Sequence, residues 1–172
     1  MGQANFLSLG RLMLSLIMAL VASKIPSGCF SQVAALPVAF GSDAVCRVLL
    51  LTSRETKRWV IPKGWPMKGR KPWEAAAQEA LEEAGLIGHV SKKPLGQYTY
   101  FKRRTAHFDL CQVDVFLLMI KKQLKKWREQ GQRRAEWFTF EEAAALVDEV
   151  GLAAILRSLA EKPPAEITQM RA

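Results

Sequence analysis

The stretch from Gly64 to Leu86, GWPMKGRKPWEAAAQEALEEAGL, constrains the fold more than any other. Pro72 suits the first turn of a helix, where its missing N–H has no partner to lose. Gly85 stands where a helix ends in left-handed backbone. Between them, 72–84 is predicted as a helix. Trp73, Ala77, Ala80, Leu81 and Ala84 recur at helical spacing and form a stripe able to pack on a sheet. Glu79, Glu82 and Glu83 fall within one turn of the same helix. Like charges so placed cost an isolated helix roughly 0.2–0.5 kcal/mol per pair, and no lysine between Lys71 and Ser91 offsets them. A cluster of hard oxygen ligands is what Mg²⁺ takes, together with substrate phosphates. A solvated acidic face would read the same way from EALEEA alone. Ahead of the helix, 62–70 is a loop with two glycines and three basic residues. Strand, basic loop and acidic helix thus place phosphate contacts beside metal ligands.

This segment resembles the Nudix box. Its first Gly falls on Gly64, its Arg-Glu pair on Gln78 and Glu79, its aliphatic position on Ala80, its Glu-Glu pair on Glu82 and Glu83, and its closing Gly-aliphatic on Gly85 and Leu86. The early Glu of the pattern is Arg70 here and the Arg is Gln78, a paired departure that bears on rate and ligand orientation. The resemblance implies an α/β fold, the Nudix-type α/β/α sandwich with a mixed sheet. It also implies Mg²⁺, with Mn²⁺ as the alternative, held by Glu79, Glu82, Glu83 and the carbonyl of Gly64. The same three glutamates are the candidate catalytic residues, with Glu83 favoured as the base.

Lys and Arg number 25 against 16 Asp and Glu, a net charge of +9. That balance favours polyanionic partners. No RNA-binding motif accompanies it, so the expected partner is a polyanionic small molecule rather than a specific nucleic acid. Three cysteines without CxxC spacing read as small apolar residues of a reducing compartment. His89 and His107 lack partners at ligand spacing and read as structural.

Strands are predicted at 32–40, with Pro37 suggesting an edge or bulge, at 45–52 and at 58–62. A hairpin of 90–101 and 107–120 follows, then a short strand at 137–140 and helices at 141–147 and 151–161. This order is similar to the Nudix sandwich over about 32–160. The stretch LLLTSRETKRWVIPKGW is similar to the corresponding region of the diphosphoinositol polyphosphate phosphohydrolases. That resemblance makes Ser53 and Arg54 substrate-binding candidates, and RRAEWF adds Arg134. Pro-Lys-Gly at 62–64 is closer to the dinucleoside tetraphosphate hydrolases. Lys63, Lys68 and Arg70 are further phosphate candidates, although a solvated surface charge explains each equally well. Trp65 is open to either stacking or packing. Lys121, Lys122, Lys125, Lys126 and Arg128 read as a solvated linker.

The chain divides into an apolar N-terminal extension (1–31), a catalytic domain (32–162) and a C-terminal tail (163–172). Leu12–Ala22 is an 11-residue apolar run behind Arg11, too short to span a bilayer, which needs about 20 residues. It matches the apolar stretch of a secretory signal. The cysteines and substrate class favour a cytoplasmic protein, with membrane contact through 12–22 the lesser reading. Oligomeric state is not legible. The expected activity is Mg-dependent hydrolysis of a phosphoanhydride in a polyphosphorylated small molecule. A Nudix-fold sensor with weakened catalysis is the alternative, and a basic membrane- or nucleic-acid-binding protein is a third.

Overall fold

The computed structural model describes residues 29–105 and 107–169. Seven strands form one sheet: β1 (Cys29–Phe40), β2 (Cys46–Thr52), β3 (Trp59–Val60), β4 (Lys63–Gly64), β5 (Leu86–Arg103), β6 (Phe108–Gln123) and β7 (Ala135–Phe138). The helices are α1 (Pro72–Ala84), α2 (Phe140–Leu146), α3 (Val150–Glu161) and α4 (Ala165–Gln169), the last within the predicted tail. The order is β3-β2-β1-β6-β5, with β4 on β1 and β7 on β2. Chain contacts define two units. The larger holds 31–99 and 112–169; the smaller holds Cys29, Phe30 and the hairpin end 100–111.

In the larger unit the sheet is buried on both faces. Val33, Ala35, Leu49, Leu51, Phe116 and Leu118 pack with Ala75, Ala76, Ala80 and Ala84 of α1. Their strand neighbours Ala34, Leu36, Val48, Leu50 and Leu117 are also fully buried, and α2 packs on β2 and β7. Continuous apolar runs such as VLLL are what two-sided burial demands. The fold is α/β with helices on both sides of a mixed sheet.

Pro37 is not at an edge. β1 is interior, and Pro37 lies between its pairing with β4 at 33–34 and with β2 at 38–40. Its lack of a donor is tolerated at that change of partner. The strand predicted at 58–62 is two strands instead. Trp59 and Val60 pair with β2, the chain crosses at Ile61-Pro62, and Lys63 and Gly64 pair with β1. The Pro62 carbonyl accepts the Ala35 N–H at 3.0 Å. This crossing carries Gly64 beneath α1.

The bounds of α1 match the sequence reading. Glu74 accepts the Lys71 N–H at 2.9 Å, Pro72 opens the helix, and Gly85 closes it at φ 68°. The buried face differs from the predicted stripe: it comprises Ala75, Ala76, Ala80, Glu83 and Ala84, while Trp73, Ala77 and Leu81 are half-buried. The helix is turned so that a glutamate lies on its inner face. The hairpin forms with longer arms than expected. Phe140 belongs to α2 rather than to β7, because Thr139 accepts the Glu142 N–H at 3.2 Å and Glu142 accepts the Thr139 N–H at 2.8 Å, a reciprocal cap that starts a helix.

In the smaller unit, the Arg104 N–H donates to the His107 carbonyl at 2.9 Å. Asp109 accepts from Arg104 Nε at 2.6 Å and lies 3.1 Å from His107 Nε2. The arginine holds the Asp109 carboxyl below the usual carboxylate range, with His107 adding to it. Among the described residues no helix is long and apolar enough to cross a membrane. The reading of Leu12–Ala22 lies outside the described residues.

Candidate active site

The site is assembled around β4. Glu79 lies so close to Gly64 that a methyl group there would collide with its carboxylate. Glu83, one turn further along α1, is buried at 8% exposure, and its Oε2 accepts the Lys63 N–H at 3.3 Å. Two carboxylates thus flank one two-residue strand. Burial raises the Glu79 carboxyl above the usual range, and repulsion from Glu82 and Glu129 adds to it. Burial raises Glu83 to about 7, with Glu129 and Glu79 adding repulsion against the opposing pull of Arg133 and Lys63.

Glu82 is held differently. Its Oε1 accepts from the Gln78 amide at 2.8 Å and its Oε2 pairs with Arg128. These contacts lower its carboxyl, Gln78 first. The three glutamates share a turn, but in this arrangement two face β4 and the third is engaged elsewhere. Arg128 is therefore not simply part of a solvated linker.

The segment 124–134 closes over the end of α1. Gln123 donates to the Ala84 carbonyl at 2.9 Å, the Leu124 N–H to that of Gly85 at 2.8 Å, and the Glu129 N–H to that of Glu82 at 3.1 Å. The Trp127 ring covers Gly85, leaving a Cβ there only 2.7 Å from it. The segment brings in two charges that sequence reasoning missed, Glu129 and Arg133. Arg133, with its side chain 8% exposed, pairs with Glu83 at 2.5 Å and Glu129 at 3.1 Å. The i, i+4 spacing of Glu129 and Arg133 was the available signal, but no helical pattern there gave it weight.

Arg133 also lines a cavity of about 600 Å³, together with Thr52, Lys57, Trp59, Gly131, Gln132 and Arg134. Arg134 does line it, but its guanidinium also pairs with Glu136 at 2.5 Å and covers the Trp59 ring at 5.5 Å. Ser53 shapes the preceding turn: its N–H donates to the Arg58 carbonyl at 2.8 Å and its hydroxyl lies 2.7 Å from that of Thr56. Arg54 is exposed and 3.7 Å from Glu129. The charge of Lys63 favours the ionised form of both Glu79 and Glu83. Arg70 and Gln78 line a separate hollow of about 260 Å³ with Glu74, Ala77 and Leu81. Trp65 is partly exposed and is not among the residues lining either cavity.

Among the described residues no three acidic, His or Cys side chains form a ready cation cage. The donors nonetheless suit a hard divalent ion. Glu79 against Gly64 and Glu83 against the Lys63 N–H offer carboxylate oxygens to the same two-residue strand, the hard oxygen donors that such an ion takes.

A two-sided sheet with carboxylates linked through Arg133 to a basic cavity suits an α/β domain that handles phosphates. The sequence model of the NUDIX domain matches residues 31–159, and the chain belongs to that family. Nudix hydrolase 16, mitochondrial, of Arabidopsis thaliana is 34% identical over 108 residues, 59% of this chain and 58% of that protein. Diphosphoinositol polyphosphate phosphohydrolase 3-alpha of Mus musculus is 32% identical over 107 residues, 60% of this chain and 62% of that protein. The chain spans about half the length of the curated relatives it matches. The crystal structure of C. elegans Ap4A hydrolase superposes with a TM-score of 0.57 at 18% identity, covering 78% of this chain and 98% of that one; this likeness is one of fold.

Proposed function

We propose that the domain is a metal-dependent hydrolase of a phosphoanhydride bond in a polyphosphorylated small molecule. The observation that carries this reading is the placement of Glu79 against Gly64 and of Glu83 on the Lys63 N–H of the same short strand, with Arg133 linking Glu83 to a basic cavity. Mg²⁺, or Mn²⁺ in its place, would be held by Glu79, Glu83 and the Gly64 carbonyl, with Glu82 joining if it leaves Gln78 and Arg128. When bound, the ion neutralises phosphate oxygens and makes water more acidic. Glu83 is the candidate that would take up the proton of the attacking water or orient that water, as a carboxylate within reach of it can do. Lys63 offsets the charge of both glutamates. Arg54, Lys57 and Arg134 hold the distal phosphates, and Ser53 keeps their turn in shape. Positioning and electrostatics carry most of the work in phosphoryl transfer.

Between the two substrate classes, the cavity favours the diphosphoinositol polyphosphate type. Its aromatic wall, Trp59, carries Arg134 on its face and Phe138 at its edge, with ring centroids 5.1 Å apart. That leaves cations rather than a bare ring to meet the ligand, which suits phosphates better than a nucleobase. The setting is a reducing aqueous compartment such as the cytoplasm, given that Cys29, Cys46 and Cys111 are all free thiols. The mitochondrial names of several relatives make the organelle an alternative. A second reading, a sensor with weakened turnover, draws on the engagement of Glu82 by Gln78 and Arg128. Phosphate release from diphosphoinositol pentakisphosphate with and without Mg²⁺ separates the two. Metal-dependent release supports the hydrolase; metal-dependent binding without release supports the sensor.

A further inference from the structure

Arg133 is a buried, multiply bonded cation of the site. Its three guanidinium nitrogens reach three acceptors, two of them on other elements: Nη2 donates to Glu83 Oε1 of α1 at 2.5 Å, Nη1 to the Thr52 carbonyl at the end of β2 at 3.3 Å, and Nε to Glu129 Oε2 of its own segment at 3.1 Å. The side chain is 8% exposed and that of Glu83 is 9%. A desolvated carboxylate needs a partner of good geometry to remain ionised in place. The planar guanidinium can fix several acceptors at once, which a single ammonium cannot do.

The two oxygens of Glu83 are thereby given separate tasks. Oε1 is taken by Arg133, while Oε2 turns toward the Lys63 N–H and the Lys63–Gly64 strand that Glu79 also touches. We infer that Arg133 is a positioning residue that fixes Glu83 so that Oε2 remains available beside Glu79 for a divalent cation. The inference rests on the reading that Glu79 and Glu83 hold such a cation. Arg133 does not itself contact the ion; it acts through Glu83, as partners of metal-ligating carboxylates commonly do.

The test is Mn²⁺ titration of the full chain by calorimetry, with melting of each metal-free variant as the check on folding. Wild type should bind and Glu83→Gln should lose that binding. Arg133→Gln should weaken Mn²⁺ binding by roughly 10- to 100-fold, the loss typical when a ligand's outer partner is removed. Arg133→Lys, which keeps the charge but not the fork, should weaken it several-fold. Unchanged affinity in folded Arg133→Gln would overturn the inference, because Glu83 would then need no guanidinium. Tighter binding would overturn it too, because Arg133 would then be a competitor of the metal. Should the glutamine variant not fold, wild-type affinity in Arg133→Lys overturns it alone. Failure of wild type to bind Mn²⁺ would remove the cation reading itself and the inference with it.

Discussion

At residue scale, Gly64 separates the needs of the site from those of the fold. Its backbone is not among the left-handed residues, so alanine fits its conformation. What a methyl group would meet is the carboxylate end of Glu79, a flexible group able to swing aside. Gly64→Ala should therefore change stability by no more than about 1 kcal/mol while lowering kcat/KM at least tenfold. Denaturant unfolding and steady-state kinetics on one preparation read both. Glu79→Gln and Glu83→Gln should each lower kcat by about two orders of magnitude or more, the scale of losing a group that acts in the transition state, without unfolding the chain. Near-wild-type turnover in either would remove that glutamate from the mechanism. Arg134 and Arg133 show where residue-level reading stops. Both are arginines ahead of Glu-Trp-Phe, and the motif alone pointed to Arg134. Which of two neighbours faces inward is set by acceptors far away in sequence, Glu83 and Thr52, and Glu129 enters on the same segment as Arg133.

At the scale of elements, α1 was legible because its signals are local: a proline at its first position and a glycine just past its end. Its rotation was not. Alanines at 75, 76, 77, 80 and 84 give hydrophobicity little to discriminate, and a buried glutamate at 83 is invisible to a search for apolar faces. The Thr139–Glu142 cap was available in the sequence and explains why β7 ends earlier than expected. Gly85 is bound twice, by its φ of 68° and by the Trp127 ring. Gly85→Ala should destabilise the protein by about 2–4 kcal/mol, combining the cost of left-handed alanine with that of overpacking; a denaturation midpoint near wild type would contradict this. The hairpin end gives a pH prediction. Asp109 has its carboxyl lowered by Arg104, so its contribution is present above the ordinary aspartate range and is lost as pH falls through the depressed value. Amide exchange at Arg104 should therefore quicken only in strong acid, and Asp109→Asn should quicken it at neutral pH. No difference between the two proteins at pH 7 would show that the ion pair does not hold the turn.

At the scale of the molecule, the sheet order follows from ordinary rules, but the crossing at Ile61-Pro62 does not announce itself in sequence. It converts one expected strand into two and sets Gly64 under α1, so the site depends on a change of strand partner as much as on the acidic helix. Gln123 and the segment 124–134 then complete the site by docking on the end of that helix through three backbone acceptors and Trp127. The family and the helix were readable from sequence; the packing that gives each carboxylate of the helix its own partner was not. The central claim is tested most directly by phosphate release with and without Mg²⁺ from diphosphoinositol pentakisphosphate, diadenosine tetraphosphate and a nucleoside triphosphate. The account predicts Mg²⁺-dependent release, greatest from the inositol substrate and abolished in Glu83→Gln. Folded wild-type protein that binds Mg²⁺ yet releases nothing from any of the three would contradict it.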